Sequence, residues 1–229
     1  MTFLHLNTVP HLSRRREVID TALRMNAAGI NHGKSGNVSA RVADSNDSSD
    51  GFLITPTGID YENLQPEQIV LVNMNGDYTG DVLPSSEWQF HRDIYAARPE
   101  IHSIVHTHSI FATSLASHHR DIPPFHYMIA IAGGRDIRCA PYATFGTAEL
   151  SAAAVTALEG RTACLLAQHG AIACGATLKK ALALAVEVEV LAKMYWHALQ
   201  LGEPPHLSDD EMGRVIEKFN TYGQQSAGL

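Results

Sequence analysis

The order of the predicted elements is the feature that most constrains the fold of this chain. Short apolar segments with strand character interrupt helical segments along all 229 residues, but the two types do not alternate regularly. A doubly wound parallel sheet would need a regular strand–helix–strand repeat, because parallel neighbours require a crossover connection. The irregular order therefore predicts an α/β fold with a mixed sheet covered by helices. No linker or internal repeat divides the sequence, so we expect a single domain over residues 1–229.

Hydrophobic periodicity and turn residues predict the individual elements. Helices are expected at residues 13–28, 84–98, 109–117, 147–158, 177–201 and 208–220. Strands are expected at residues 37–42, 51–55, 69–74, 102–107, 127–132, 163–167 and 171–174. The pair Asn75-Gly76 is typical of a hairpin turn, and Ser86 with Gln89 has the spacing of a capping box. The polar residues 43–50 are expected to form a surface loop.

Composition limits the classes of partner. Apolar residues make up 45% of the chain and charged residues 18%, which is enough to bury a full core and excludes general disorder. No apolar run reaches the roughly 18–20 residues of a membrane span. The formal net charge of −7 argues against nucleic acid as the main partner. The three cysteines form no CxxC pair and the first residues lack a signal-peptide pattern, so we expect a reducing, cytoplasmic location.

Histidine is the residue type that points to chemistry, with 13 copies in the chain. His106 and His108 are two residues apart in a predicted strand, so they share a face and can chelate one metal ion. His169 follows another predicted strand and precedes Gly170 at a corner of the sheet. Three histidines leave a coordination position open, as in catalytic zinc sites. Taken singly, these residues are equally typical of solvent-facing strand ends or structural turns.

A carboxylate and three anion-binding segments accompany the histidines. Glu87 lies in the first turn of a predicted helix, where the helix dipole favours a carboxylate whether or not it acts as an acid or base. Residues 33–37, 55–58 and 85–86 offer backbone N–H groups or hydroxyls to an anion, although none has the P-loop spacing. Each segment alone is an ordinary turn, but together they suggest a phosphorylated substrate. Three further histidines lie near these segments without an assigned role: His32, His91 and His126.

At these residues the chain resembles the class II aldolase/adducin family. The similarity extends from about Arg15 to Gly223. It is carried, in order, by SGNVSAR, LITPTGIDYENL, LPSSEWQFH, IVHTHS, HYMIAIAGG, APYATFGT, QHGAIACG, ALAVEVEVLA and EKFNTYG. The resemblance implies a three-layer αβα domain with a mixed, largely antiparallel central sheet. It also implies a C4 homotetramer with active sites at the subunit interfaces.

The resemblance further implies a zinc-dependent retro-aldol reaction with one Zn²⁺ per subunit. A ketose 1-phosphate, of which L-fuculose 1-phosphate is the type, would be cleaved to dihydroxyacetone phosphate and an aldehyde such as lactaldehyde. The positions that match zinc ligands are His106, His108 and His169, with Glu87 as the acid/base carboxylate and a further ligand of the resting metal. The positions that match phosphate-binding residues are Gly36, Asn37, Thr57, Gly58, Ser85 and Ser86. The positions that stabilise the transition state and place the aldehyde are Tyr127, Phe145 and Tyr222, the two tyrosines reaching the site from a neighbouring subunit.

Several alternatives stay open at this point. The same chemistry could act on 5-deoxyribulose or 5-methylthioribulose 1-phosphate in salvage of nucleoside by-products. An L-ribulose-5-phosphate 4-epimerase would resemble a pattern with Asp at the position of Glu87, and a 5-methylthioribulose-1-phosphate dehydratase is a further relative. A non-catalytic, adducin-like interaction module would look as if it had lost zinc ligands. The chain also departs from the pattern at Lys34, which would contact the phosphate or face solvent, and in the longer loop at residues 43–50.

Overall fold

One seven-stranded sheet organises the molecule. The structure is a computed structural model that describes residues 9–42 and 51–219. The strands are β1 (Asn37–Val42), β2 (Gly51–Ile54), β3 (Val70–Asn73), β4 (Ser103–Thr107), β5 (Cys139–Ala140), β6 (Ala163–Leu166) and β7 (Gly170–Gly175). Their order across the sheet is β3-β2-β1-β4-β7-β6-β5. The β5–β6 pair is parallel and the other neighbouring pairs are antiparallel, so the predicted mixed, largely antiparallel sheet is confirmed.

Helices cover both faces of this sheet. They are α1 (Leu12–Ala27), α2 (Trp88–Ala97), α3 (Ile110–Ser117), α4 (Ala148–Ala157), α5 (Leu178–Ala198) and α6 (Asp209–Phe219). Helices α1, α3 and α5 share one hydrophobic cluster with the sheet, and α2 and α4 share a second cluster on the opposite face. The result is the expected three-layer αβα arrangement.

Strand alternation assigns side chains to these two layers. In β4, Val105 belongs to the α1/α3/α5 cluster, whereas Ile104 belongs to the α2/α4 cluster. Because side chains two residues apart share a face, His106 lies on the α2/α4 side with Ile104. In β1, Val38 packs in the α1/α3/α5 cluster. Asn37 and Ser39 therefore face α2, and Asn37 is directly opposite His106 in the pairing of β1 with β4.

The structure corrects two predictions of local structure. Residues Tyr127–Ala132 form a 3₁₀ helix rather than a strand, with the His126 side chain accepting a hydrogen bond from the backbone N–H of Met128. The capping box predicted from Ser86 and Gln89 is absent, since α2 begins at Trp88 with Glu87 as its N-cap residue. The short strand β5 was not predicted, because two residues are too few to show a period.

Other local predictions are partly met. A turn follows β3 at the predicted place, with the Asn73 N–H donating to the Asp77 carbonyl, but the returning chain pairs with β3 at one isolated bridge, Val72 with Tyr78. The predicted loop at residues 43–50 and the end of the last helix at residue 220 lie outside the described residues. Among the helices that the structure describes, none is long and apolar enough to cross a membrane.

Candidate metal centre

The sheet brings the three predicted histidines to one point. His106 is in β4 and His108 directly follows it, while His169 lies in the tight turn between β6 and β7. Gly170 allows this approach, because a side-chain carbon there would collide with the Thr107 carbonyl oxygen and lie 3.0 Å from the ring of His108. The glycine after His169 is therefore required by the close packing of β7 on the end of β4.

Glu87 completes a four-residue cluster with these histidines. Its carboxylate oxygens lie 3.2 Å from Nε2 of His106 and 3.0 Å from Nε2 of His169. The Nε2 atoms of His106 and His108 are 3.0 Å apart. All four donor atoms lie within 4.8 Å of one another, so one cation at their centre could contact each of them.

The hydrogen bonds around the cluster suit a metal ligand set. His106 Nδ1 lies 3.0 Å from the Ala171 carbonyl oxygen and donates its proton there, which leaves Nε2 free to coordinate. Glu87 Oε1 is buried and makes no hydrogen bond of normal geometry within the described residues, although Nε2 of His169 lies 3.0 Å away. A buried, unsatisfied carboxylate oxygen facing three imidazole nitrogens is costly unless a cation neutralises it. The residues therefore fit a divalent metal ion held by nitrogen and oxygen ligands.

Burial and charge keep the ligands in their coordinating forms. Burial, together with His106 and His169, lowers the pKa of His108 to about 4. Burial alone would raise the pKa of Glu87, but His106 and His169 outweigh it and hold that pKa well below its usual range. At neutral pH the carboxylate is thus ionised and His108 is neutral, as metal binding requires.

The three predicted anion-binding segments meet beside this cluster. The Asn37 amide donates to Ser85 Oγ at 3.1 Å and to Glu87 Oε2 at 2.9 Å. The chain around residue 57 pairs with the chain before Ser85, since the Thr57 N–H donates to the Leu83 carbonyl and the Ser85 N–H to the Thr55 carbonyl. Ser85 also accepts from the Glu87 N–H, so its hydroxyl proton remains available to an anion.

Glycine permits the close approach of two of these segments. A side-chain carbon at Gly36 would collide with the His106 carbonyl oxygen, and Gly58 has a φ of +76°. The Ser86 carbonyl oxygen lies against Gly146, which places the loop containing Phe145 next to the third segment. Lys34 is exposed, and its Nζ donates to the Gly58 carbonyl at 3.0 Å and lies 3.5 Å from Asp60.

Two of the remaining predicted residues have largely exposed side chains in this single chain. Tyr127 is 51% exposed and Phe145 is 64% exposed. Tyr222 lies outside the described residues. His32 contributes a backbone carbonyl that accepts from the Ser35 hydroxyl, and His126 caps the 3₁₀ helix.

Sequence patterns assigned no role to His91, which the structure places behind the cluster. Its ring is fully buried and lies 2.5 Å from Asn37 Oδ1 through Nε2 and 2.7 Å from Ser39 Oγ through Nδ1. Burial lowers the pKa of His91 to about 3, so the ring is neutral. Besides its position near the anion-binding segments, the available hint was its spacing of four residues from Glu87, which places both side chains on the same face of a helix.

Comparison with known proteins agrees with this geometry. The sequence model of one protein family, the Class II Aldolase and Adducin N-terminal domain, matches residues 16–196 of this chain. The chain is 53% identical, over 94% of its length and 95% of the relative's, to a 5-methylthioribulose-1-phosphate/5-deoxyribulose-1-phosphate aldolase of Rhodospirillum rubrum. It is 51% identical to the L-fuculose phosphate aldolase of Escherichia coli K12, over 91% of this chain and 94% of that one.

A solved structure shows the same fold. An L-fuculose 1-phosphate aldolase superposes with a TM-score of 0.85 at 40% identity, over 91% of this chain and 96% of the other. The chain belongs to the class II aldolase and adducin family. Within that family it is an aldehyde-lyase of the metal-dependent class II aldolases.

Proposed function

We propose that this enzyme is a zinc-dependent aldolase that reversibly cleaves a ketose 1-phosphate to dihydroxyacetone phosphate and an aldehyde. The observation that carries the proposal is the single hydrogen-bonded unit formed by Glu87, Asn37 and Ser85 at the edge of the three-histidine cluster. It joins a metal-ligand set to polar groups that suit a phosphate. A reaction that needs both a metal ion and a phosphorylated substrate accounts for this combination.

The metal would be held by His106, His108 and His169, with Glu87 as a further ligand in the resting enzyme. The histidine-rich donor set favours Zn²⁺, one per subunit. When bound, such an ion supplies Lewis-acid stabilisation of the negative charge that develops as the carbon–carbon bond breaks.

The chain's own groups would handle the substrate and its protons. The phosphate would bind to the segments containing Gly36 and Asn37, Thr57 and Gly58, and Ser85 and Ser86. The free hydroxyl proton of Ser85 and the backbone N–H groups offer hydrogen bonds without a fixed positive charge. In cleavage, the C4 hydroxyl passes its proton to solvent by way of Tyr127, and the electron pair of the C3–C4 bond stays with C3. Glu87 takes up a proton from solvent and gives it to C3, so that no net proton is gained or lost. Synthesis reverses these steps.

The aldehyde side would be completed by a neighbouring copy of the chain. In this proposal Tyr127 supplies or removes the proton of the aldehyde oxygen, and Phe145 and Tyr222 position the aldehyde. The large exposed fraction of Tyr127 in a single chain supports an arrangement in which the tyrosines reach the site of a neighbouring subunit. We accordingly propose a homotetramer of single-domain subunits, each spanning residues 1–229, that works in the cytoplasm.

Two substrates remain candidates, each favoured by a relative. L-Fuculose 1-phosphate is the first, and 5-deoxyribulose or 5-methylthioribulose 1-phosphate is the second, because relatives at 51% and 53% identity carry these two names. The cleaved bond and the dihydroxyacetone phosphate half are the same for both. An epimerase is disfavoured by Glu87, where that pattern has Asp, and an adducin-like module by the intact ligand cluster.

A substrate panel tests the proposal. The enzyme is supplied with Zn²⁺ and each ketose 1-phosphate, and released dihydroxyacetone phosphate is measured by its enzymatic reduction. We expect His106→Ala to lose bound zinc and cleavage, while His102→Ala, an exposed histidine at the start of the same strand segment, keeps both. Absence of cleavage of every ketose 1-phosphate by the zinc-loaded enzyme would refute the proposed reaction. Faster cleavage of 5-deoxyribulose 1-phosphate than of L-fuculose 1-phosphate would select the second substrate.

A further inference from the structure

A buried chain of hydrogen bonds connects the cluster to the interior of the α2 layer. It crosses between β1 and α2 and consists of Glu87, Asn37, His91, Ser39 and Tyr95 in that order. The successive donor–acceptor distances are 2.9, 2.5, 2.7 and 2.8 Å. The strand residues are two apart and the helix residues are four apart, so each set faces the other along its length.

Only one assignment of donors and acceptors satisfies every bond in this chain of hydrogen bonds. The Glu87 carboxylate accepts, so the Asn37 amide must turn its NH₂ group towards Glu87 and its oxygen towards His91. His91 must then donate from Nε2, and a neutral ring leaves Nδ1 as an acceptor. The Ser39 hydroxyl therefore donates to His91, and its oxygen accepts from the Tyr95 hydroxyl.

Burial makes this arrangement costly unless every bond is kept. Asn37, Ser39, His91 and Tyr95 are each at most 2% exposed. The His91 ring is also stacked on Phe90 with centroids 4.6 Å apart, which fixes its plane. A buried polar network is stable when fully satisfied and destabilising when one member is lost. Apolar residues would fill the same layer without that risk, so a role beyond packing is indicated.

We propose that His91 is a positioning residue that fixes the orientation of the Asn37 amide. The amide in turn holds Glu87 by Oε2 and Ser85 by Oγ, and the carboxylate so held places Oε2 beside His106 and Oε1 beside His169. Without the His91 proton the amide can rotate and present its oxygen to the carboxylate. This inference rests on the proposed function insofar as it assigns Asn37 and Glu87 to substrate handling.

Two substitutions of similar volume test the role of the proton. Gln at position 91 offers an N–H donor to Asn37, whereas Leu offers none. We expect His91→Leu to lower kcat per bound zinc by roughly tenfold to hundredfold, the range for a lost buried hydrogen-bond partner, and His91→Gln to recover most of that loss. Ile94→Ala, a change at a buried apolar residue of the same helix, serves as the control. It lowers thermal stability but removes no member of the hydrogen-bond chain. Equal kcat per bound zinc in the Leu and Gln variants would overturn the proposal.

A spectroscopic measurement covers the case in which a variant fails to fold. Long-range ¹H–¹⁵N spectra of metal-free, histidine-labelled wild-type protein report which ring nitrogen carries the proton. We expect one neutral histidine protonated at Nε2 with a slowly exchanging proton, assigned to His91 in the wild type by nuclear Overhauser contacts to the stacked ring of Phe90. A proton on Nδ1 of His91, or a charged ring at neutral pH, would overturn the proposal. This measurement needs no substrate, so a failure of the proposed reaction in the substrate panel would be seen separately.

Discussion

Glu189 of α5 should determine the stability of the helix that follows the metal ligands. Its carboxylate accepts from the backbone N–H groups of Phe111 and Ala112 at 2.8 and 2.9 Å. These are first-turn donors of α3, and the N-cap residue Ser109 makes no capping hydrogen bond of its own. Glu189, on a distant helix, therefore replaces the usual side-chain cap of α3. The capped end of α3 begins one residue after His108.

The magnitude follows from the two bonds. Hydrogen bonds to a charged group contribute about 1.5–3 kcal/mol each, and the helix dipole adds to the attraction. Glu189→Gln keeps one acceptor but directs its NH₂ group at the second N–H, so we expect a loss of about 2 kcal/mol. For a protein of this size that corresponds to a decrease in Tm of roughly 4–8 °C. Zinc affinity should also fall, because the first turn of α3 anchors His108.

The assay compares matched variants on one helix. Glu187→Gln makes the same change of charge two residues earlier, at a half-buried position for which the described residues supply no hydrogen bond or ion pair. Thermal unfolding of metal-free protein gives the stability, and competition with a chromophoric chelator gives the zinc affinity. If Glu189→Gln and Glu187→Gln melt within about 1 °C of each other, the carboxylate does not cap α3 and the reasoning is refuted.

Three further predictions concern the centre itself. Glu87→Gln should keep zinc bound by the histidines but lose about 10²-fold or more in kcat, as expected for a proton-transferring group; near-normal cleavage by a zinc-loaded variant would contradict that role. Gly170→Ala should weaken zinc binding strongly, because the added methyl group forces β7 away from β4. Gly213→Ala, on an open helical surface, should bind zinc normally and be slightly more stable. Chelator competition measures the zinc affinity of the two variants, and urea unfolding measures their stability. Because His91 is neutral when folded, with its pKa lowered to about 3, and has an ordinary pKa when unfolded, the unfolded state binds more protons between these values. Stability of the metal-free protein should therefore fall as pH decreases from about 6.5 towards 3, by up to about 1.4 kcal/mol per unit, and His91→Gln should remove that part of the slope in urea unfolding at several pH values.

Local sequence patterns were sufficient for most strands and for the four residues of the candidate metal centre. The HxH spacing in β4 and the His-Gly pair after β6 both reflect constraints that act within a few residues. Residues 127–132 were misassigned because the run YMIAIA is short and apolar, and such runs do not distinguish a strand from other buried segments. Here the His126 side chain and contacts to α5 and α6 select a 3₁₀ helix instead.

Long-range partners explain what sequence patterns could not show. His91 reads as an ordinary buried helix residue until β1 supplies Asn37 and Ser39, which are more than 50 positions away. The same holds for Glu189, whose bonds reach Phe111 and Ala112 across 77–78 positions. In both cases the partner is determined by sheet order and helix packing, which no local period encodes.

The wide sequence spacing of the proposed metal ligands would couple ion supply to folding. Glu87 and His169 come together through β4, β7 and the start of α2, and an unfolded chain does not hold these segments at one point. An ion bound at the cluster therefore stabilises the native state alone, and each tenfold rise in free ion above its dissociation constant adds about 1.4 kcal/mol to the free energy of unfolding. The lifetime of the folded enzyme would then follow the availability of the ion, so a cell short of metal would lose the protein as well as its activity.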